Sequence, residues 1–452
     1  MNRFTFPKDF VWGAACSAFQ MEGGAYEGGK SESHYEHSFR DPATKGKYQD
    51  DRSPDVSSDF YHKYPEDIKM MKELGLKSFR FSFAWTRICP DISGKPNKEG
   101  IDFYHRVLDE MIAQGIEPMF DLFHSDLPQW VLDNGGIVDD RYVDWFTNYA
   151  EVCFREFGSK VKLWSTVNEP KLSVYGSYAW GRYAPYKKDP GLALKATHNM
   201  MLAHYRSVKM LHEMWPDAKI GAVNNAGKCH SMNFNEEDMD AADRHFAMQF
   251  LFLDPMLLGE YPKEMMEYPA MAQYVTPEMV EELKREFVPM DFYGINYYNP
   301  NFIRKGTESA YDSTWFEAGW EKDAYGFPTY GPGMLDLLLE LKDRYGDVPV
   351  YITENGYTYK RDVPTMTVIG DDIHDTKRCD YIREHLRAVW RAIKVGVNVK
   401  GYYYWSVMDC WEGTMGYGYP MGLISVNFDT LERTPRDSFY YYQDIIKHNM
   451  VQ

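Results

Sequence analysis

The sequence predicts an α/β chain folded as a (β/α)₈ barrel, on three observations. Helix-period apolar stripes alternate with short β-branched or aromatic runs along the chain. Eight such runs are present. Residues able to do chemistry stand at the C-terminal ends of nearly all of them, where a parallel barrel carries its active site. A chain of 452 residues exceeds an average domain, but α/β barrels run long as one unit. No Ser/Gly linker, low-complexity tract or composition break divides it. The expectation is therefore one catalytic barrel over residues 1–452.

The elements follow in order. Phe10 to Ala15 is the first strand. Ile68, Met71 and Leu74 mark a helix that Gly75 stops, and Ser78 to Phe83 is the second strand. Tyr104, Val107, Leu108, Met111 and Ile112 form an i, i+3, i+4, i+7, i+8 stripe. Gly115 ends it, and Pro118 to His124 is the third strand. Tyr142, Trp145, Phe146 and Tyr149 lead through Gly158 to the fourth strand, Val161 to Val167. Lys219 to Val223 and Phe292 to Tyr297 are the fifth and sixth. Leu338 and Leu341 lead through Gly346 to the seventh, Val348 to Thr353. Ile382, Leu386, Val389, Trp390 and Ile393 lead through Gly396 to the eighth, Val399 to Trp405. A doubly wound open sheet is the runner-up. It usually carries a Gly-rich phosphate turn after its first strand, and none stands near Gly13 or Gly23-Gly24.

Composition excludes several classes. Apolar residues make up 44 %, enough for a large core. The net charge of −17 argues against a nucleic-acid or anionic-membrane partner. No run of about 18 apolar residues is present to span a bilayer. Met1 to Phe10 contains no apolar signal-peptide core. The six scattered cysteines form no C-x-x-C pair and read as reduced thiols of a cytoplasmic protein. His124 is the one histidine placed at a strand end, so no metal site and no cofactor are expected. The 12 Trp and 35 Tyr supply flat faces that suit sugar rings, although many must serve the core.

Two short strings carry the chemistry: Thr166-Val167-Asn168-Glu169-Pro170 and Ile352-Thr353-Glu354-Asn355-Gly356. Each sets one carboxylate where a β-branched run gives way to a loop. Two such groups at strand ends far apart in sequence can converge on one bond, which suits glycosidic cleavage, with one acid for the leaving oxygen and one carboxylate for the cationic sugar carbon. Gln20, Arg80, His124, Asn168, Asn296, Tyr298 and Trp405 gather at the same end of the predicted barrel. Glu354 must stay ionised, and Arg80 and the Tyr298 hydroxyl are its candidate partners. Glu169 must hold a proton near neutrality, which asks for a less polar setting or a nearby negative charge.

With these motifs the chain resembles a retaining β-glucosidase of glycoside hydrolase family 1. The likeness runs from Phe6-Pro7-Lys8-Asp9-Phe10-Val11-Trp12-Gly13 to Arg433-Thr434-Pro435-Arg436-Asp437-Ser438-Phe439. It implies Glu354 as the nucleophile and Glu169 as the acid and later the base. It implies Asn168 at the sugar 2-hydroxyl, and Gln20, His124 and Glu412 at hydroxyls 3, 4 and 6. Trp405 becomes the floor under the ring, and Asn296 orients its neighbours. The implied partner is a small oligosaccharide or an aryl or alkyl β-glycoside; a homo-oligomer is left open.

Three departures stand out. The family's His-Trp-Asp-Leu-Pro is His124-Ser125-Asp126-Leu127-Pro128 here, its Glu-Trp is Glu412-Gly413, and its Gly-Gly-Trp is Gly135-Gly136-Ile137. Either the pocket is wider beside sugar position 3, or Trp130, Trp411 or Met415 fills the gap. A 6-phospho-β-glycosidase is the nearer alternative, but Glu412 is kept and Gly416 to Met421 holds no cation for a phosphate. A transglycosylase shares the first half-reaction. A non-catalytic sugar-binding protein is remote, because both glutamates are present.

Overall fold

The computed structural model describes residues 4–307, 312–363, 365–370 and 372–452. Of the N-terminal stretch 1–10, residues 1–3 lie outside it. Eight parallel strands close into a barrel: β1 (Val11–Ala15), β2 (Ser78–Ser82), β3 (Glu117–Phe123), β4 (Leu163–Asn168), β5 (Lys219–Asn225), β6 (Phe292–Asn296), β7 (Val350–Asn355) and β8 (Val399–Trp405). They neighbour one another in chain order. The barrel closes where β8 pairs with β1, with Gly401 opposite Val11 and Trp405 opposite Ala15. Their residues are buried almost throughout, as expected when side chains fill the barrel and helices cover it.

All eight predicted strands form, the eighth with the predicted bounds and the others with ends shifted by at most two residues. The fourth starts late because the Val161 N–H is taken by Phe157 O at the end of the preceding helix. Helices Phe60–Leu74, Lys98–Ala113, Arg141–Phe157, Pro332–Tyr345 and Thr376–Lys394 are the predicted ones. Gly75, Gly115, Gly346 and Gly396 all take positive φ after them, whereas Gly158 stays right-handed at φ −63°. Ile112 departs from its expected place in the buried stripe. At 46 % exposure it faces solvent, while Tyr104, Val107, Leu108 and Met111 are buried. It lies about 80° round the helix from Tyr104, at the edge of the apolar face.

One contiguous cluster of buried residues runs from Phe6 to Val451. Phe4–Thr5 pairs with Met450–Val451, so the two ends of the described chain meet. The loops above the barrel add a three-stranded sheet of Cys229–Ser231, Asn301–Lys305 and Ser313–Trp315. β4, which leads into Glu169, and β7, which carries Glu354, lose regular register near their last residues, between Ser165 and Asn168 and between Ile352 and Glu354. Such irregularities re-aim side chains. Here they bring Glu354 opposite Asn296 across the β6–β7 pair.

Candidate active site

A cavity of about 860 Å³ opens above the C-terminal ends of the strands. Nine predicted residues line it: Gln20, His124, Asn168, Glu169, Asn296, Tyr298, Glu354, Trp405 and Glu412. Arg80 stands behind them, fully buried.

Glu354 ends β7 with both carboxylate oxygens occupied. Oε1 accepts from Arg80 Nη1 at 2.8 Å, and Oε2 accepts from the Tyr298 hydroxyl at 2.7 Å. Arg80 is itself fixed: Nη2 lies 2.6 Å from Asp121 Oδ2 and donates to Asn168 Oδ1 at 2.7 Å. Asp121 is the partner that sequence reasoning passed over, hidden inside the apolar third strand. Burial would raise its carboxyl. Arg80 first, then His124 and a short Ser165 hydrogen bond, bring it below the usual range. Arg80 therefore holds its charge between two anions.

Glu169 follows β4 in a left-handed conformation, φ 48° and ψ 54°. That turn points its carboxyl at β6, where Oε1 accepts from Asn296 Nδ2 at 2.8 Å. The same amide group donates to Asn168 Oδ1 at 3.0 Å, and Thr353 Oγ1 donates to Asn296 Oδ1 at 2.7 Å. Glu169, Asn296, Asn168, Arg80 and Glu354 thus form one chain of hydrogen bonds joining the two carboxyls. Burial raises both carboxyls above the ordinary range. Glu169 is opposed chiefly by the Asn296 bond; Glu354 is opposed first by the Arg80 charge and raised further by Glu169. Arg80 in contact and two donors make Glu354 the member of the pair that ionises first.

The remaining residues form the floor and far wall. The Trp405 ring lies 5.5 Å from the His124 ring at 16°, nearly parallel. With its proton on Nδ1, His124 donates to Asp121 Oδ2 at 3.3 Å and accepts from Asn168 Nδ2 at 3.1 Å. Gln20 Nε2 donates to Glu412 Oε2 at 3.1 Å, and Ser17 Oγ donates to Gln20 Oε1 at 2.7 Å. Burial, with the charge of Glu354 adding to it, pushes Glu412 up to about 8 against the Cys410 thiol bond. At neutral pH Glu412 can therefore donate as well as accept.

The gap beside Ser125 and Gly413 stays open to the cavity. Trp411 is buried among Phe19, Phe39 and Tyr417. Trp130 packs edge-on against Trp85 and Trp145. Neither enters the space, and only Met415 of the three candidate fillers lines the cavity. A side chain at Gly413 would meet nothing within 4 Å, although its φ of +55° favours glycine. Ser125 Oγ is engaged with Ser173 Oγ at 2.9 Å.

Sequence reasoning also missed the outer part of the cavity. Lys171, Asn225, Trp180, Trp315 and Trp320 line it. Lys171, two positions after Glu169, was a visible signal. The three Trp come from loops whose placement no periodicity encodes. Among the described residues no group of His, Cys, Asp and Glu could hold a metal ion, and no helix is long and apolar enough to cross a membrane.

A closed parallel barrel with two linked carboxyls at the ends of β4 and β7, facing one cavity, defines an O-glycosyl hydrolase of the (β/α)₈ class. Comparison with known proteins carries this to the family. The model of Glycosyl hydrolase family 1 matches residues 2–451. Beta-glucosidase A of Acetivibrio thermocellus is 39 % identical over 99 % of this chain and 100 % of its own length. The 6-phospho-beta-glucosidase GmuD of Bacillus subtilis is 36 % identical over 99 % of both chains. A Thermotoga maritima family 1 glycoside hydrolase, solved with a cyclophellitol analogue transition-state mimic, superposes with a TM-score of 0.94 at 33 % identity over the full length of both. The chain belongs to glycosyl hydrolase family 1.

Proposed function

We propose that this chain is a retaining, exo-acting β-glycosidase of the β-glucosidase type, acting on non-phosphorylated β-O-glycosides. The observation that carries the reading is the hydrogen-bond chain linking Glu169 to Glu354 through Asn296, Asn168 and Arg80. It sets an anion held by a guanidinium beside a carboxyl that keeps its proton, the asymmetry a double displacement needs. Glu354 attacks the anomeric carbon while Glu169 gives its proton to the departing oxygen. A glycosyl ester on Glu354 and a free alcohol result. The ester carries no charge, so Glu169 no longer faces an anion when it gives up its proton. Glu169 then takes a proton from water as that water attacks the same carbon, and both carboxyls return to their first states.

Asn168 is assigned to the 2-hydroxyl, where a hydrogen bond strengthens as the oxocarbenium forms. Gln20, His124 and Glu412 are assigned to the far hydroxyls, and Trp405 to the ring face. The similarity to GmuD gives the phosphorylated reading its weight. The segment Gly416 to Met421 argues against it, because it supplies no cation for a phosphate, and Glu412 would repel one whenever it is ionised. One catalytic unit over the whole chain and a cytoplasmic setting complete the proposal. The second is supported by six cysteines that are all free thiols.

The test is turnover of 4-nitrophenyl β-glucoside against its 6-phosphate, with two variants. Glu354→Gly should abolish turnover, and azide or formate should restore part of it by standing in for the carboxylate. Glu169→Ala should lose about a hundred- to ten-thousand-fold on alkyl glucosides and far less on nitrophenyl ones, whose leaving group needs no proton. Turnover of the 6-phosphate alone would reverse the choice of substrate. Equal losses for both variants on every substrate would remove the assigned roles.

A further inference from the structure

The outer wall of the cavity contains a cation that the double displacement does not use. Lys171 opens the helix Pro170–Tyr178, directly after Glu169-Pro170, and its side chain forms part of the cavity wall. Its ammonium donates to Gln249 Oε1 at 2.6 Å. An ammonium has three N–H donors, and the hydrogen bonds of the described residues account for one. No carboxylate of the described residues forms an ion pair with it. Arg182, on the same segment and the same cavity wall, is likewise without one and rests on the Tyr183 ring. The carboxylate at this rim, Glu317, is already tied to Lys322 at 2.7 Å. Burial draws the Lys171 ammonium down to about 8, which leaves it charged at neutral pH.

The same cavity also presents broad apolar faces. Trp180, Trp315 and Trp320 are 49 %, 54 % and 48 % exposed, yet all three line the cavity. Exposed indoles inside a cavity offer stacking surface for a flat group. A chain with net charge −17 gives an anion no general attraction, so a cation without an ion pair, in a cavity that also presents three exposed indoles, acts as a local selector.

We propose that Lys171 makes the leaving-group side of this cavity selective for an aryl aglycone that bears a carboxylate. The ring lies against the indoles, and the carboxylate accepts from the Lys171 protons that Gln249 leaves free. This rests on the hydrolase reading above and adds the class of its leaving group.

The test compares 4-carboxyphenyl with 4-carbamoylphenyl β-glucoside, which are close in shape and differ in charge. The kcat/KM ratio, carboxyl over carbamoyl, should fall about tenfold in Lys171→Met. The change should fall mainly on KM for the carboxylate, and Lys171→Arg should restore most of it. Lys171→Gln serves if the methionine variant does not fold. The matching phenols, 4-hydroxybenzoate and 4-hydroxybenzamide, read the subsite without turnover: by calorimetry the wild type should bind the acid tighter, and Lys171→Met should not. A ratio unchanged by Lys171→Met, with 4-nitrophenyl β-glucoside turned over normally by the wild type, overturns this inference and leaves the hydrolase reading standing. If no β-glucoside is turned over, the hydrolase reading falls, and the two phenols still decide whether Lys171 selects a carboxylate.

Discussion

Glu354 receives a guanidinium and a phenol hydroxyl, whereas Glu169 receives one amide proton. That difference in donors separates two carboxyls that burial alone would treat alike. The pH profile of kcat/KM should be bell-shaped. Glu354 sets the acid limb, since activity needs it ionised, and Glu169 sets the basic limb, since activity needs it protonated. Each limb can be moved separately. The Asn296 bond favours the Glu169 anion and so lowers its pKa. Asn296→Ala removes that bond, so Glu169 keeps its proton to higher pH and the basic limb moves up. The Tyr298 hydroxyl favours the Glu354 anion. Tyr298→Phe should therefore move the acid limb up and lower kcat by about tenfold or more. A basic limb that stays put in Asn296→Ala would contradict the assignment of Glu169. The residue scale is also where the sequence was least complete. The two glutamates were legible because each sits in a short motif at a strand end. Asp121 was not, because a buried acid inside an apolar run is recognisable only beside its arginine. The state of Gly413 also needed coordinates: the sequence showed that a Trp was missing, and only packing shows that Trp411 and Trp130 are committed elsewhere.

The ends of β7 and β8 meet at one glycine. A Cβ on Gly356 would stand 1.9 Å from the carbonyl oxygen of Trp405, far inside contact distance. Gly356→Ala must push the two strand ends apart, with Glu354 two residues away on one and Trp405 on the other. The stability cost is that of an overpacked core site, about 1–3 kcal/mol. The activity cost should be larger, about a hundredfold in kcat, because a displacement near 1 Å spoils an attack geometry. Steady-state kinetics beside a denaturant titration separates the two; a variant with normal kcat and reduced stability would show that the strand ends move without disturbing the site. The eight strands were legible because each is a continuous buried run, and the helices because a 3.6-residue period and a following glycine mark their ends. The sheet formed by Cys229–Ser231, Asn301–Lys305 and Ser313–Trp315 was not. Two of its strands are three residues long, and the partners of its parallel pair lie far apart in sequence. Pairing at that range is set by tertiary contacts and leaves little local pattern.

Across the whole molecule, the segment that follows β8 carries Glu412 and is anchored by a buried charge cluster. Asp409 is bound by Arg361 Nη2 at 2.8 Å and by Arg436 through Nη1 and Nη2, each at 2.8 Å. Its Oδ1 also accepts from Gly422 N at 3.0 Å. Arg378, close by, donates to Gly422 O and Pro420 O, so three arginines, Arg361, Arg378 and Arg436, hold the chain at Asp409, Pro420 and Gly422. Burial alone would raise the Asp409 carboxyl; Arg436 first, then Arg361 and Arg378, bring it down to about 2 from 3.8. A carboxyl with a lower pKa folded than unfolded stabilises the fold at every pH above its unfolded value. That contribution fades as pH falls from about 4 to about 2. The shift corresponds to about 2 kcal/mol. Asp409→Asn also leaves guanidinium charge buried without its anion, a loss of about 3–5 kcal/mol near neutrality. Thermal unfolding should show the variant several degrees less stable at pH 7. The gap to the wild type should narrow by about 2 kcal/mol as the pH is taken from 4 down through 2, because the wild-type aspartate is then becoming neutral as well. A gap that holds its size down to pH 2 would mean that the charge of Asp409 is not what binds the segment to the barrel.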